Sequence, residues 1–112
     1  MMKIIVSEFG HRATRLVLVG DLDISGAEEL GLPLAALAGS GGTLVVDMTR
    51  LDSVASIGIR HLVLAARTLA RGRGQLLLLG PNPLVTRALI MARVDGLLPI
   101  VRSEDEPGGA AP

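Results

Sequence analysis

The sequence predicts a small α/β domain, a mixed β-sheet with helices packed on it in the order β-β-α-β-α-β-α-β. Three observations carry that reading. Short β-branched or leucine-rich runs alternate with segments of helical periodicity, which implies parallel strand pairs joined by crossover helices. Glycines at Gly39, Gly41, Gly42, Gly72 and Gly74 punctuate the alternation where helices should stop. Gln75 to Leu79 is a continuous leucine run, the pattern of a strand covered on both faces.

Each element follows from local chemistry. Lys3 to Phe9 and Thr14 to Leu22 read as two strands joined across Gly10-His11-Arg12-Ala13, a hairpin. Ser25-Gly26-Ala27-Glu28 has the Ser-x-x-Glu form of a capping box and opens a helix to about Ala38. Its apolar residues Ala27, Leu30, Leu34, Leu37 and Ala38 keep helical spacing. Pro33 lies inside that helix, removes one backbone donor and is expected to kink or split it. Thr43 to Met48 is a compact apolar strand closed by Asp47, and a second helix is expected from about Ser56 to Arg71. Asn82-Pro83 pairs an N-cap residue with proline at the first helical position, so a third helix starts there and reaches about Arg93. Leu97 to Val101 adds a short last strand, with Pro99 marking it as an edge. Residues 1–102 are thus expected to form one domain, and 103–112, charged and then Gly/Ala/Pro-rich, a disordered tail.

Composition limits the function. Of 112 residues, 49% are hydrophobic but only Phe9 is aromatic, so the core is aliphatic. The absence of cysteine excludes disulfides, thiol nucleophiles and thiolate metal sites. Eleven basic residues balance eleven acidic ones, which provides neither the field nor the stacking platforms of a nucleic-acid binder. Every apolar run is shorter than the roughly eighteen residues of a membrane span, and the N-terminus has no signal-peptide layout. The expected setting is cytoplasmic. Two isolated histidines, His11 and His61, and no nucleophile-elbow motif argue against an enzyme.

Five segments in order resemble one family. Gly20-Asp21-Leu22-Asp23 is similar to the Gly-Glu-Leu-Asp that closes the second strand of STAS domains. Leu44-Val45-Val46-Asp47-Met48 resembles the strand ahead of that family's functional loop, and Ala55-Ser56-Ile57-Gly58-Ile59 falls where the loop reads Asp-Ser-Ser-Gly-Leu or Asp-Ser-Thr-Gly-Leu. Leu79 to Val85 and Val94 to Leu98 resemble its later segments, so the likeness spans about residues 4–101. The resemblance is to STAS proteins of the anti-sigma factor antagonist type. It implies a module that binds an anti-sigma factor with an ATPase-type kinase fold, frees a sigma factor, and is released when the kinase phosphorylates the loop. It requires no cofactor. Small STAS proteins also serve as accessory subunits of a lipid-transport ATPase or as pieces of sensory scaffolds, which is the alternative.

In this chain the loop is degenerate. Ala55 stands in place of the Asp, and Ile57 in place of the usual phosphoacceptor, leaving Ser56 as the one hydroxyl in the motif. Ser56 therefore has two readings, a cap for the second helix or a surviving phosphorylation site; Ser53 is a weaker candidate. On the second helix, Ile59, Leu62, Val63, Ala66, Leu69 and Ala70 form the stripe expected to face the sheet. The opposite stripe, Ile57, Arg60, His61, Leu64, Arg67, Thr68 and Arg71, is expected to be exposed, with Ile57 and Leu64 as apolar anchors for a partner and arginines as a rim. Ser56, Ile57, Gly58, Arg60, His61, Leu64 and Arg67 are the candidate partner-binding residues. Asp21, Asp23 and Asp47 are expected to gather near the loop; three carboxylates could hold a divalent ion, but such residues more often cap turns, and no metal is expected. The first hairpin's edge and the Ile57/Leu64 face could each support a homodimer.

Overall fold

The computed structural model describes residues 2–8 and 13–102. The hairpin linker Gly10-His11-Arg12, Phe9 and the tail from 103 onward lie outside the described residues. The elements are β1 (Lys3–Glu8), β2 (Ala13–Leu22), α1 (Ile24–Gly39), β3 (Thr43–Val54), α2 (Ser56–Arg71), β4 (Gln75–Leu79), α3 (Pro83–Met91) and β5 (Ile100–Val101). They build one five-stranded sheet in the order β1-β2-β3-β4-β5. β1 runs antiparallel to β2, and every later neighbour pair is parallel. The predicted order and sheet type therefore hold.

Alternation of side chains along the strands divides the core in two. Leu16, Leu18, Leu44, Val46, Leu76 and Leu78 face the helices and join their buried residues, among them Leu30, Leu34, Leu62, Leu69, Val85 and Leu89, in the main cluster. Val45, Leu77, Leu79 and Val101 form a second, smaller cluster on the opposite face. This two-sided burial is why β4 is all leucine after Gln75. Each fully buried leucine contributes about 1.5–3 kcal/mol, so an aliphatic core of this extent needs no aromatic residue.

Several local expectations change. α1 is not opened by Ser25: its N-cap is Asp23, whose carboxylate accepts from the Gly26 N–H at 2.7 Å, while the Asp23 carbonyl accepts from the Ala27 N–H at 2.8 Å. A carboxylate at this end also meets the positive pole of the helix dipole. α1 runs as one helix through Pro33, which sits on its exposed side. There water can take the carbonyl that Pro33 leaves unbonded, so the helix is not split. β3 does not close at Asp47 but continues to Val54, because two bulges carry it on: Val17 pairs with Asp47 but Val19 with Arg50, and Gly20 with Leu51 but Asp21 with Ser53. Each bulge adds a residue to β3 and breaks the period-two pattern by which a strand is read from sequence. At the other end of the chain, the last strand is only Ile100–Val101, and α3 stops at Met91.

Candidate partner-binding surface

β2, β3 and β4 are parallel, and each leads directly into a helix. The N-termini of α1, α2 and α3 therefore lie side by side along one end of the sheet. Cross-bonds fix this end. The Ala55 N–H donates to the Leu22 carbonyl at 2.8 Å. The Asn82 amide donates to the carbonyls of Leu51 at 3.0 Å and Asp52 at 3.3 Å, while its oxygen caps α3 by accepting from the Val85 N–H at 2.8 Å. Each helix exposes one large aliphatic residue in its first two positions: Ile24 is 68% exposed, Ile57 37% and Leu84 64%. Three exposed aliphatics thus share one end of the sheet, although a single exposed aliphatic would need no explanation.

The degenerate loop sits in the middle of this end. Ala55 is the N-cap of α2, and its carbonyl accepts from the N–H groups of Gly58 at 3.0 Å and Ile59 at 3.2 Å. No side chain caps the helix. Ser56, expected as the cap, is the first residue inside the helix and is exposed. The missing cap has a direct cause: Ala55 occupies the position where the resembled loop has Asp, a strong N-cap residue. Gly58, grouped with the contact residues from sequence, is buried instead. A Cβ there would come within 2.6 Å of Leu22 Cγ, so glycine lets the first turn of α2 lie directly on the end of β2.

Farther along α2 the outer face divides. Arg60 and Arg67 are exposed and Leu64 is 50% exposed. His61, expected to be solvated, is half-buried beside Gly31 of α1. With Leu64, Thr68 and Ala65 it borders a groove of about 130 Å³, whose other wall is Leu34, Ala35 and Ala38 of α1. The inward stripe is Ile59, Leu62 and Leu69 as expected, with Val63 and Ala66 partly buried against the core. Ala65 is buried toward α1, whereas Ala70 is exposed.

The three aspartates do not gather. Asp21 accepts from the Ser53 hydroxyl at 2.7 Å across the β2–β3 pair, and Asp23 caps α1. Asp47 lies well back along β3, between Val17 and Leu79 in register, and is 2% exposed. Its carboxylate accepts from the Thr49 N–H at 2.9 Å and the Thr49 hydroxyl at 2.6 Å on one oxygen, and from both Arg15 Nε at 3.0 Å and Arg15 Nη2 on the other. Burial alone would raise its pKa, but the hydrogen bonds from Thr49 and Arg15 and the guanidinium charge together outweigh burial and hold it below the usual carboxylate value. Asp47 thus completes a structural cluster rather than the loop. Of the surface residues, sequence reading found Ile57 and Leu64 but not Ile24 and Leu84. Both follow a capped helix start, at Asp23 and Asn82, but that these starts share one end of the sheet is set by topology.

Comparison with known proteins identifies the family and the fold. A family model described as Mlab, STAS domain, matches residues 6–100. The chain is 31% identical over 94 residues to BtrV of Bordetella bronchiseptica, described as an anti-sigma factor antagonist, covering 83% of this chain and 81% of that one. Among solved structures, the unphosphorylated anti-sigma factor antagonist SpoIIAA superposes with a TM-score of 0.79 at 20% identity, covering 93% of this chain and 91% of that one. An anti-sigma factor antagonist from Mycobacterium paratuberculosis gives 0.83 at 19% identity, covering 95% and 90%. The family match, the related chain and the strand order together show that the chain belongs to the STAS domain family and has the fold of the anti-sigma factor antagonists.

Proposed function

We propose that this domain acts by docking a protein partner, an anti-sigma factor with an ATPase-type kinase fold, and thereby releases a sigma factor, without catalysing a reaction itself. The observation that carries the reading is the helix-start end of the sheet, where Ile57 stands out in the place of the usual phosphoacceptor between Ile24 and Leu84. Ile57 and Leu64 anchor the partner, and Arg60 and Arg67 form the rim. In such a loop a phosphate would add nearly two negative charges. An isoleucine cannot accept it. The domain is therefore a binding form whose control rests on abundance, or on Ser56 as an altered switch one residue earlier.

A second reading, an accessory subunit of a lipid-transport ATPase or a piece of a sensory scaffold, is favoured by the same lost phosphoacceptor, because those roles do not depend on it. Recovery of the tagged protein from its own cells, with identification of what accompanies it and of phosphate on Ser56, separates the two. An anti-sigma ATPase among the co-purifying proteins supports the first reading; a transporter or scaffold with Ser56 unmodified replaces it with the second. Leu64→Asp and Ile57→Asp should each reduce partner binding at least tenfold, with the melting temperature shifted by only a few degrees since both side chains are substantially exposed. Unchanged binding in both variants would remove the α2 face from the interface.

A further inference from the structure

A second surface lies between α3 and β5 and reaches Gly80, Pro81 and Pro83 at the start of α3. An open groove of about 800 Å³ is walled by Thr86, Arg87 and Ile90 of α3 and bordered by Ile100, Val101 and Arg102. α3 is only nine residues long, yet it carries apolar side chains on two sides. Val85 and Leu89 enter the core, whereas Ile90 is 53% exposed into the groove. Among the described residues the charged ones lining the groove are Arg87 and Arg102; Arg102 already has an interaction of its own, and Arg87 is exposed.

β5 is the last strand of the sheet among the described residues. The Leu78 N–H donates to the Pro99 carbonyl and the Gly80 N–H to the Val101 carbonyl, each at 2.8 Å. Backbone groups of successive strand residues point to opposite sides, so Ile100, between these two, turns its own N–H and C=O away from β4 and toward the open edge. An apolar wall, the exposed Arg87 and a main-chain edge occur together here.

We propose that this groove binds an extended peptide segment of a second protein, one that carries a carboxylate beside an apolar side chain. The carboxylate meets Arg87, the apolar side chain packs on Ile90, and the segment's backbone runs along Ile100. Charge complementarity with Arg87 gives the acidic character, and the strand edge favours a peptide over a lipid, since an acyl chain cannot use backbone donors and acceptors. This contact is separate from the α2 face that carries Ile57 and Leu64.

The test is selection of a phage-displayed random peptide library on the full chain, followed by affinity measurement of the enriched peptides on variants. Enriched peptides should carry Asp or Glu within two residues of an aliphatic or aromatic residue. They should bind Arg87→Glu and Ile90→Asp at least tenfold more weakly and Leu64→Asp unchanged. Arg87→Glu should in turn favour versions of the same peptides in which the acid is replaced by lysine. Both substituted side chains are exposed, and thermal melts of each variant establish that it is folded. The proposal is overturned by a selection that enriches nothing, by peptides without carboxylates, or by peptides whose affinity follows Leu64→Asp and not Arg87→Glu. Binding to phosphatidylglycerol vesicles without any peptide enrichment would also overturn it and assign the groove to a membrane surface.

Discussion

Two sites on β3 and its continuation show opposite treatments of polar chemistry. At Asp47 both carboxylate oxygens are answered, by Arg15 and by Thr49, and the carboxylate itself is buried. Eight residues later, at Ala55, a helix starts with no side chain on its N-terminal donors, although Asp23 and Asn82 cap the helices on either side. The contrast separates what holds the fold from what is offered to solvent. The middle helix start is the least satisfied of the three, and it is the one that carries the loop.

The largest effect should come from breaking the satisfied site. Asp47→Ala leaves the Thr49 hydroxyl and N–H without their acceptor and removes the carboxylate that pairs with Arg15. Because Arg15 is partly solvated, the loss should be about 2–4 kcal/mol rather than the full value for a wholly buried pair, measurable by urea unfolding. The same site sets an acid limit. A carboxyl with a depressed folded pKa adds stability that is fully present above its unfolded value near 3.8 and disappears as pH falls through the folded value. Wild type should therefore lose stability below about pH 4 with a slope that Asp47→Asn lacks, and equal slopes would show that Asp47 does not titrate against folding.

Gly58→Ala should rank next. Its methyl group would meet Leu22 Cγ at 2.6 Å inside a closed core, and overpacking of about 1–3 kcal/mol outweighs the gain of up to about 1 kcal/mol in helix propensity. A variant as stable as wild type would mean that Leu22 can move aside, and that this junction is looser than its packing suggests. Asp23→Ala should cost about 1 kcal/mol by uncapping α1. The converse, Ala55→Asp, should stabilise by about 0.5–1 kcal/mol by restoring a cap to α2. Together the last two substitutions would exchange the character of the two helix starts; no gain from Ala55→Asp would show that the bare terminus is already satisfied by solvent.

The sequence made some of this visible and hid the rest for physical reasons. Ser56 to Arg71, Gln75 to Leu79 and the Asn82-Pro83 start were readable because each rests on strong local chemistry: a glycine stop, a leucine run, a cap followed by proline. The α1 start was misplaced because two overlapping signals competed there. Asp23, directly after β2, was nearer the strand end than the Ser25 box, and the chain turned at the first available cap. The continuation of β3 was hidden by its bulges. At the candidate site, Ile57 and Leu64 were found from periodicity within one helix. Ile24 and Leu84 needed knowledge that three separate helix starts share one end of a sheet, which is a property of topology and not of any local window. Gly58 looked like part of an interface because it belongs to the loop motif, whereas its task is to let α2 approach Leu22.

The bulges of β3 have a consequence for how this chain aligns with its relatives. β3 has 12 residues opposite the 10 of β2, yet the pair is level at both ends, Ala13 with Thr43 and Leu22 with Val54. The two extra residues are taken up inside the strand, so its length does not decide where α2 begins. A homologue with one or two fewer residues here would show a gap just ahead of the loop, while its loop would stand at the same place in space. Insertions and deletions in this strand are thus expected to be quiet: sequence length can drift while the partner meets an unmoved surface.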